Sequence, residues 1–340
     1  MTMKRILLIG PAPHNIGGIS THLLRLSALL SECFDFDFID EGHKRKEGVF
    51  NLRSANIFVY LKKVFAADVV HIHSGSVMVR LLHILICRLI LRKKVVVTIH
   101  RDITIENRQS ATIKLLAKCN AVIVVNDNSF NALSGKVKRE RLHKIAAFLP
   151  PSADEYKPLP ESVASFIAKG GTILCSNAWK LVEHDGIDLY GLDICIEAIA
   201  RLDDNYRLVF VIADNNGAES RLEQYRLRID AAKIGDRILI YEAPVSFVQL
   251  ISKSDITLRT TITDGDAISI RESLYLGKRV IASDVVERPE GTQLFESRNV
   301  DSLVDAIKTP VDKAPASSDT PDYKMVYQNI YTNILEKRQP

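Results

Sequence analysis

The sequence predicts an α/β protein in which two Rossmann-like, parallel-sheet domains face a cleft and a C-terminal helix closes the chain. The 340 residues exceed one ordinary α/β domain and fit two. Short apolar runs alternate with amphipathic stretches in both halves, as in doubly wound sheets. Pro150 and Pro151 end the first series, and the polar segment 152–160 predicts a linker. We expect domains at 1–155 and 165–320, followed by the closing helix at 321–340.

The apolar runs predict the strands, and the amphipathic stretches between them predict the helices. In the first half the predicted strands are 6–9, 36–39, 69–73, 95–99, 121–126 and 145–149, and the helices are 21–30, 57–65, 78–91 and 129–133. In the second half the strands are 172–176, 207–213, 237–241, 256–259 and 279–282, with helices at 192–202, 270–276 and 323–335 and a loop at 314–321. Open parallel sheets bind ligands at the carboxyl ends of their strands, so the loops after the strands contain the candidate residues.

Composition indicates a soluble globular enzyme, with 46% hydrophobic and 25% charged residues. The five cysteines lie far apart without a CxxC pair, which indicates neither a disulfide framework nor a thiolate metal site. The first apolar run is too short for a signal sequence and is typical of a buried strand. We therefore expect a cytoplasmic protein.

Charge is divided unequally along the chain. Residues 1–150 contain 23 Lys and Arg against 11 Asp and Glu, whereas the rest contains 22 against 30. A basic first half favours an anionic partner there, such as a phospholipid surface or a lipid diphosphate acceptor. The alternative is that these cations only solvate surface helices. We expect no nucleic-acid partner.

The run 78–94 is apolar with basic residues spaced along it. It is too short and too charged to span a bilayer, which needs roughly 20 apolar residues. A buried crossover helix explains its apolar side, and its basic residues favour weak, salt-sensitive contact with an anionic membrane surface at the inner face of the cell membrane.

A small-residue turn follows the first predicted strand and contains Gly17 and Gly18. Adjacent glycines let backbone amides approach a phosphate at the start of a helix. The spacing is not that of a dinucleotide site, so we expect neither a nicotinamide nor a flavin cofactor, and no other cofactor. The alternative is a tight turn without a ligand.

Histidines end two further strands of the first half. His71 and His73 lie two residues apart and share a face of their strand, but no carboxylates accompany them, and no metal site is expected. We expect His71 to pack in the core. His100, beside Arg101 and Asp102 at the exit of its strand, is the better candidate for contact with a substrate.

In the second half, the segment 264–272 follows a predicted strand and opens a helix. Its glycine turn, at Gly265, can offer amides to a sugar or a diphosphate. Glu272, about one turn into the helix, can accept hydrogen bonds from both hydroxyls of a ribose.

The run 264–284, DGDAISIRESLYLGKRVIASD, resembles the signature of the family 4 retaining glycosyltransferases, in which seven residues separate two acids ahead of a Gly-x-x-Val-Ile-Ala-Ser strand. Asp264 and Glu272 have this spacing. Other landmarks of the family have counterparts at Gly17-Gly18, in the loop of His100, at Leu149-Pro150-Pro151 and at Tyr190-Gly191-Leu192-Asp193. The resemblance therefore covers nearly the whole chain and implies the GT-B fold.

The resemblance also implies roles for individual residues. Glu272 would bind the nucleotide ribose, Asp264 the hydroxyls of the donor sugar, and His100 would lie near the transferred sugar. Backbone amides would bind the sugar and phosphates, at Gly265, Asp266, Ala267 and Ile268 and, from the other domain, at Gly17 and Gly18. The enzyme would be a metal-independent hexosyltransferase that uses a UDP- or GDP-sugar and a front-face displacement. Its acceptor would be a glycan, lipid-linked in the making of bacterial O-antigen, capsule or exopolysaccharide.

The sequence departs from the family at the diphosphate. The family supplies an Arg and a Lys after the first strand of the second domain, but this chain has the stretch 176–180, SNAWK, and Tyr190 where the Lys is expected. Lys180 or Arg259 could replace them, because any cation there would neutralise the leaving diphosphate.

Two alternatives to transfer remain. A nucleotide-sugar epimerase of the same fold would need carboxylates on both faces of the sugar, and the first half offers only Asp102 and Glu106. A degenerate protein would bind the nucleotide sugar without turnover, which the missing Arg and Lys favour.

Overall fold

The computed structural model describes residues 3–12, 17–42, 48–264, 267–309 and 322–336. It divides into two compact units, the first formed by Met1–Leu149 with Thr320–Pro340 and the second by Pro150–Asp319. Each unit contains one all-parallel sheet surrounded by helices. This arrangement confirms the predicted fold class of two Rossmann-like α/β domains.

The first unit has a seven-stranded sheet. Its elements up to residue 149 are β1 (Lys4–Gly10), α1 (Gly18–Leu30), β2 (Phe34–Asp40), β3 (Phe50–Asn51), α2 (Ile57–Ala66), β4 (Val69–Ile72), α3 (Val77–Ile84), β5 (Lys94–Ile99), α4 (Gln109–Leu116), β6 (Ala121–Val124), α5 (Asp127–Leu133) and β7 (Leu142–Lys144). The strand order is β3-β2-β1-β4-β5-β6-β7, and all pairs are parallel. The carboxyl ends of β1, β4 and β5 therefore lie side by side at the middle of one edge.

Two predictions for this unit need correction. The last strand is Leu142–Lys144, where Leu142 pairs with Val122, and the predicted strand 145–149 is irregular. Its apolar residues are buried by packing rather than by strand pairing. The predicted helix 78–91 is α3 followed by the π-helix Leu85–Ile90.

The second unit has a six-stranded sheet. Its elements are α6 (Glu161–Ile167), β8 (Thr172–Lys180), β9 (Glu183–His184), β10 (Ile187–Asp188), α7 (Leu192–Arg201), β11 (Tyr206–Asp214), α8 (Glu219–Ala231), β12 (Ile238–Tyr241), α9 (Phe247–Lys253), β13 (Ile256–Arg259), α10 (Ile268–Tyr275), β14 (Arg279–Ser283), β15 (Thr292–Phe295) and α11 (Val300–Lys308). The sheet order is β12-β11-β8-β13-β14-β15, and β9 and β10 form a separate antiparallel hairpin. The stretch predicted as a loop after the first strand, 176–180, lies inside β8.

Alternate residues of the strands fill the two sides of each sheet. In β1, Leu7 and Ile9 pack with α2 and α3, whereas Ile6 and Leu8 pack with α1. Each sheet is thus covered on both faces, which explains why its strands are continuous apolar runs.

The last helix, α12 (Tyr323–Glu336), belongs to the first unit. Its Tyr327 and Tyr331 are fully buried in the same core cluster as Leu23 and Leu26 of α1. The chain therefore returns to its first unit after completing the second. No helix in the described parts of the chain is long and apolar enough to cross a membrane.

Candidate functional site

Two arginines converge on Asp264 at the carboxyl edge of the second sheet. Arg259, the last residue of β13, donates from Nε and Nη2 to the two carboxylate oxygens, at 2.9 Å each. Arg288 donates from Nη1 to Oδ2 at 2.7 Å, and Thr261 adds a hydroxyl at 3.2 Å. We name Arg259, Asp264 and Arg288 the arginine–aspartate cluster.

The arginine–aspartate cluster is almost closed to solvent. The side chain of Asp264 is 7% exposed, that of Arg288 is 2% and that of Arg259 is 14%. Burial alone would raise the pKa of Asp264, but the hydrogen bonds and charges of Arg259 and Arg288 outweigh it and lower this pKa to about 2. The carboxylate is therefore ionised at neutral pH, and two cations against one anion leave one positive charge in excess.

Arg288 was missed by the sequence reasoning. It lies in the loop after β14, 24 residues from Asp264, and donates also to the carbonyl and hydroxyl oxygens of Ser283, the last residue of β14. The nearest residues that the sequence analysis singled out belong to the run 264–284, which ends before Arg288.

Tyr190 lies against the arginine–aspartate cluster. The guanidinium of Arg259 stacks over its ring, 5.6 Å from the ring centre. Gly191, next in the chain, has φ of 70°, and a Cβ there would lie 2.4 Å from the carbonyl oxygen of Thr260. Only glycine allows the start of α7 to approach the end of β13 so closely, and this approach sets Tyr190 under Arg259.

The amino terminus of α10 has no side-chain cap, with Ala267 at the N-cap position and Ile268 as the first helical residue. An uncapped helix start is suited to anions. Glu272 lies inside α10 and is 6% exposed. Gly265 and Asp266, the other predicted amide donors, lie outside the described residues.

Lys180 is the last residue of β8, in register with Asp214 of β11, and is partly exposed. Among the side chains that the structure describes, none forms an ion pair with it. Of the two predicted replacement cations, only Arg259 is joined to Asp264.

In the first unit, Gly17 and Gly18 lie at the amino terminus of α1, as N-cap and first helical residue. Gly17 has φ of 155°, and α1 has no side-chain cap. The Ser20 hydroxyl donates to the carbonyl oxygen of Ala12 at 2.7 Å, which ties the turn to α1. Among the described residues, no side chain caps the start of α1 or that of α10.

Three histidines meet at the carboxyl edge of the first sheet. One ring nitrogen each of His22, His73 and His100 lies within 4.8 Å of the other two. His22 comes from α1, His73 from the end of β4 and His100 from the end of β5. We name these three residues the histidine cluster. The sequence analysis paired His73 only with His71. His22 was missed, because spacing along the chain does not show that a residue of α1 packs against the strands.

The rings of the histidine cluster are held in fixed positions. His22 Nδ1–H donates to the carbonyl oxygen of Ala147 at 2.7 Å, and His73 Nδ1 lies 3.1 Å from His100 Nε2. Burial lowers the pKa of His22 to about 4 and holds the pKa of His73 and of His100 well below the usual value. The three imidazoles are therefore neutral at neutral pH.

His71 packs in the core, as expected. Its Nδ1 is hydrogen-bonded to the Tyr331 hydroxyl at 2.6 Å and its Nε2 to the Thr98 hydroxyl at 2.8 Å. Both ring nitrogens are thus satisfied within the protein. His73 is equally buried, whereas His100 is partly exposed and can reach a ligand.

The acids proposed for epimerase chemistry have structural partners. Arg80 Nη2 donates to both carboxylate oxygens of Glu106, at 2.6 and 2.7 Å, and both side chains are buried. Asp102 accepts from the amide and hydroxyl of Thr104 and from Asn128. These contacts disfavour a role for either acid in proton transfer to a sugar.

Residues 188–319 match the family model described as glycosyl transferases group 1. This segment contains Tyr190, α10 and the arginine–aspartate cluster. Comparison with curated protein sequences gives no match.

Solved structures share the fold across almost the whole chain. HepE of Anabaena, in complex with UDP-glucose, has 15% identity and a TM-score of 0.62 over 97% of this chain and 94% of its own. A glycosyltransferase from Rickettsia africae ESF-5 has 16% identity and a TM-score of 0.64 over 99% and 92%. A variant of S. aureus TarM, in complex with UDP among other ligands, has 9% identity and a TM-score of 0.61 over 98% and 100%.

Proposed function

Because residues 188–319 match the family model of the group 1 glycosyl transferases and the two-unit chain shares the GT-B fold, we propose that the protein is a retaining, metal-independent hexosyltransferase. It would move a sugar from a nucleotide-sugar donor to a glycan acceptor. The arginine–aspartate cluster beside the start of α10 carries this proposal, since it combines an excess positive charge with the amides of a helix start whose N-cap residue, Ala267, has no capping side chain. Both features suit the diphosphate of a nucleotide sugar.

Arg259 is the cation that would stabilise the leaving diphosphate. The family resemblance expects a Lys at the position of Tyr190, and the guanidinium of Arg259 lies over the Tyr190 ring. The positive charge of Arg259 therefore lies next to Tyr190, the position at which the family would supply its Lys. Lys180, partly exposed at the end of β8, is the second candidate.

Asp264 would orient the arginines and accept hydrogen bonds from hydroxyls of the donor sugar. Glu272, on the same helix whose amides would bind the phosphates, would accept hydrogen bonds from the ribose hydroxyls. Gly17 and Gly18, at the open start of α1, would add amides to the diphosphate, and the partly exposed ring of His100 would contact the transferred sugar.

In a front-face displacement, the acceptor oxygen attacks the anomeric carbon on the side from which the diphosphate leaves. Because the new bond forms on the face where the anomeric C–O bond to the diphosphate breaks, the configuration is retained. The departing phosphate oxygen takes the proton of the acceptor hydroxyl. The protein's main task is then to stabilise the charge that develops on the diphosphate. Arg259 and the amides of α10 are suited to this, because they are fixed before the reaction begins.

A UDP-sugar is the donor to test first, since HepE of Anabaena was solved with UDP-glucose. A GDP-sugar is the second. The acceptor we propose is a lipid-linked glycan of bacterial surface polysaccharide, such as O-antigen, capsule or exopolysaccharide, reached at the inner face of the cell membrane.

Exposed apolar side chains in the first unit support this membrane location. Along α3 and the π-helix that follows, Met78, Leu82, Leu85 and Leu89 form a stripe at helical spacing, each at least 42% exposed. On α2, Phe58 and Phe65 flank exposed Lys62 with the same spacing. We name these six apolar residues the apolar stripes.

The helices that carry the apolar stripes lie next to each other. The Tyr60 hydroxyl of α2 is 2.8 Å from His83 Nδ1 of α3, and Lys93 Nζ donates to the Phe65 carbonyl oxygen at 3.2 Å. Apolar side chains interleaved with cations, on the half of the chain with excess basic residues, complement an anionic lipid surface.

Nucleotide release tests the proposed activity. The protein would be incubated with UDP- and GDP-sugars, with and without lipid-linked glycan acceptors, and the free nucleotide and the anomeric configuration of the product measured. Release that depends on the acceptor, with retained configuration, is expected. Release without acceptor would indicate hydrolysis, isomerised donor would indicate an epimerase, and tight donor binding without release would indicate a degenerate protein. Each of these three outcomes contradicts the proposal.

A further inference from the structure

The histidine cluster has the composition of a transition-metal site. His22, His73 and His100 each place one ring nitrogen within 4.8 Å of the others. Three imidazoles with one open position are a known protein environment for Zn²⁺. We propose that the histidine cluster binds one divalent transition metal of the zinc class, which takes no part in sugar transfer. His100 would bind this metal through Nε2 and leave Nδ1 for the transferred sugar.

The spacing of the nitrogens is close to what a metal requires. A tetrahedral Zn²⁺ with Zn–N bonds of about 2.0–2.1 Å holds its ligand nitrogens about 3.4 Å apart. His73 Nδ1 and His100 Nε2 are already 3.1 Å apart. The His22 nitrogen lies within 4.8 Å of both, so the His22 ring would move toward them when the metal binds.

The tautomer of His22 is already the one that a metal needs. Its Nδ1–H donates to the Ala147 carbonyl oxygen at 2.7 Å, so the lone pair is on Nε2. Metal-binding histidines ordinarily donate their second N–H to a carbonyl or carboxylate, which fixes the ring and its basicity. Tyr327 is the other neighbour of Nε2, at a long 3.4 Å.

His73 has one ring nitrogen without a described partner. Its ring is fully buried, and Nε2 has no hydrogen-bond partner among the residues that the structure describes. An unpaired polar atom in a protein interior costs about 1–3 kcal/mol. In the geometry above, His73 coordinates through Nδ1, so its proton is on Nε2 and this unpaired N–H remains when the metal binds.

Nearby charges set the strength of the site. Arg25 and Arg80 are the arginines whose charges act on these rings, and both oppose a cation. Arg80 is neutralised by Glu106, and Arg25 donates to the Leu149 carbonyl oxygen at 3.0 Å. We therefore expect binding weaker than in sites with an anionic ligand, and a hydroxide or another anion in the open position.

Metal titration of the full chain, prepared without an oligohistidine tag, tests the proposal without reference to sugar transfer. One equivalent of Co²⁺ should give the visible absorption of a tetrahedral ion, and Zn²⁺ should displace it. His22→Gln and His100→Gln should each weaken binding at least tenfold. The double variant His143→Gln, His184→Gln, which removes histidines of β7 and β9 outside the cluster, should bind as the wild type does.

X-ray absorption of the zinc-loaded wild type is the second measurement and does not depend on the folding of any variant. Three imidazole nitrogens at about 2.0 Å are expected. The proposal would be overturned by the absence of a one-equivalent site in the wild type or by fewer than three imidazole ligands. Binding by His22→Gln and His100→Gln as tight as that of the wild type would also overturn it. The three rings would then be a hydrogen-bonded part of the core only.

Discussion

Arg259 donates two parallel hydrogen bonds to Asp264, from Nε and Nη2 to the separate carboxylate oxygens, at 2.9 Å each. The pair joins the end of β13 to the loop that leads into α10. Arg288 completes it from the loop after β14, at 2.7 Å. The two acids of the run 264–284 therefore have different surroundings. Asp264 is hydrogen-bonded to two arginines, whereas Glu272 is a buried residue of α10.

The first prediction concerns acid stability. Asp264 has its pKa lowered to about 2 in the folded protein, from an ordinary value of 3.8. A lowered pKa stabilises the fold fully above the ordinary value, and this stabilisation is lost as the pH falls from about 4 through about 2. It amounts to about 2 kcal/mol in all, of which about 1 kcal/mol is lost by pH 3. Asp264→Asn removes this pH dependence.

At neutral pH, Asp264→Asn should lower the free energy of unfolding of the second unit by about 3 kcal/mol, because Arg288 stays buried without its anion. The chain's one tryptophan, Trp179, lies in this unit, so its fluorescence during urea unfolding reports the change. The deficit of the variant should narrow between pH 7 and pH 3. Exposed Asp230 on α8 provides the control, Asp230→Asn, and a deficit that does not vary with pH would refute the assignment.

How much of this site was predictable depends on the distance in sequence between its parts. Asp264, Glu272 and Arg259 lie within one strand, turn and helix, so local spacing placed them together. Arg288 and Asp264 come from different loops, and no local pattern joins such residues. His22 was missed for the same reason, since the packing of α1 on the sheet brings it to His73.

The fold was predictable where burial repeats regularly. Strands covered on both faces are continuous apolar runs, and strand 256–259 was predicted with the bounds it has. The run 145–149 was misassigned because apolar residues can be buried by a loop as well as by a strand. Helix α8 was not predicted, because its buried residues, Leu222, Tyr225 and Ile229, recur at helical spacing but are few among many charged residues.

The second prediction concerns Gly191. Gly191→Ala should destabilise the second unit by about 3 kcal/mol or more, since it adds a left-handed alanine and a contact of 2.4 Å with the Thr260 carbonyl oxygen. Gly217 has a similar φ of 74°, but a Cβ there would meet none of the described residues within 4 Å, its chain neighbours aside. Gly217→Ala should therefore cost only about 1 kcal/mol. Urea unfolding followed by Trp179 fluorescence compares the two variants. Equal costs would show that the approach of α7 to β13 is not tight.

The third prediction concerns the ribose contact. Glu272→Gln keeps the size of the side chain but loses its charge, and should weaken donor binding by about 1–3 kcal/mol. Calorimetric titration with UDP-glucose, and with a GDP-sugar, measures this. Exposed Glu223 on α8 supplies the matched control, Glu223→Gln, which should leave affinity unchanged. Wild-type affinity in the Glu272 variant, with its fold intact, would remove Glu272 from the site.

The fourth prediction concerns the apolar stripes. Leu82 and Leu85, 51% and 42% exposed, contribute little to the core, so the double variant Leu82→Glu, Leu85→Glu should fold normally. It should no longer float with anionic liposomes at low salt, because two carboxylates would replace apolar contacts and repel the lipid charge.

Leu227 gives a matched control for that loss, since it is 59% exposed on α8 of the second unit. Leu227→Glu should float with anionic liposomes as the wild type does. High salt should release both proteins from the liposomes, because it screens the attraction between basic residues and lipid. Neither the wild type nor Leu227→Glu should bind neutral liposomes. If the wild type fails to float at low salt, or if the Leu227 variant loses flotation as fully as the double variant, the apolar stripes are not the membrane contact. The location at the inner face of the membrane would then lose its structural support, while the proposed transfer would still be tested separately by acceptor-dependent nucleotide release.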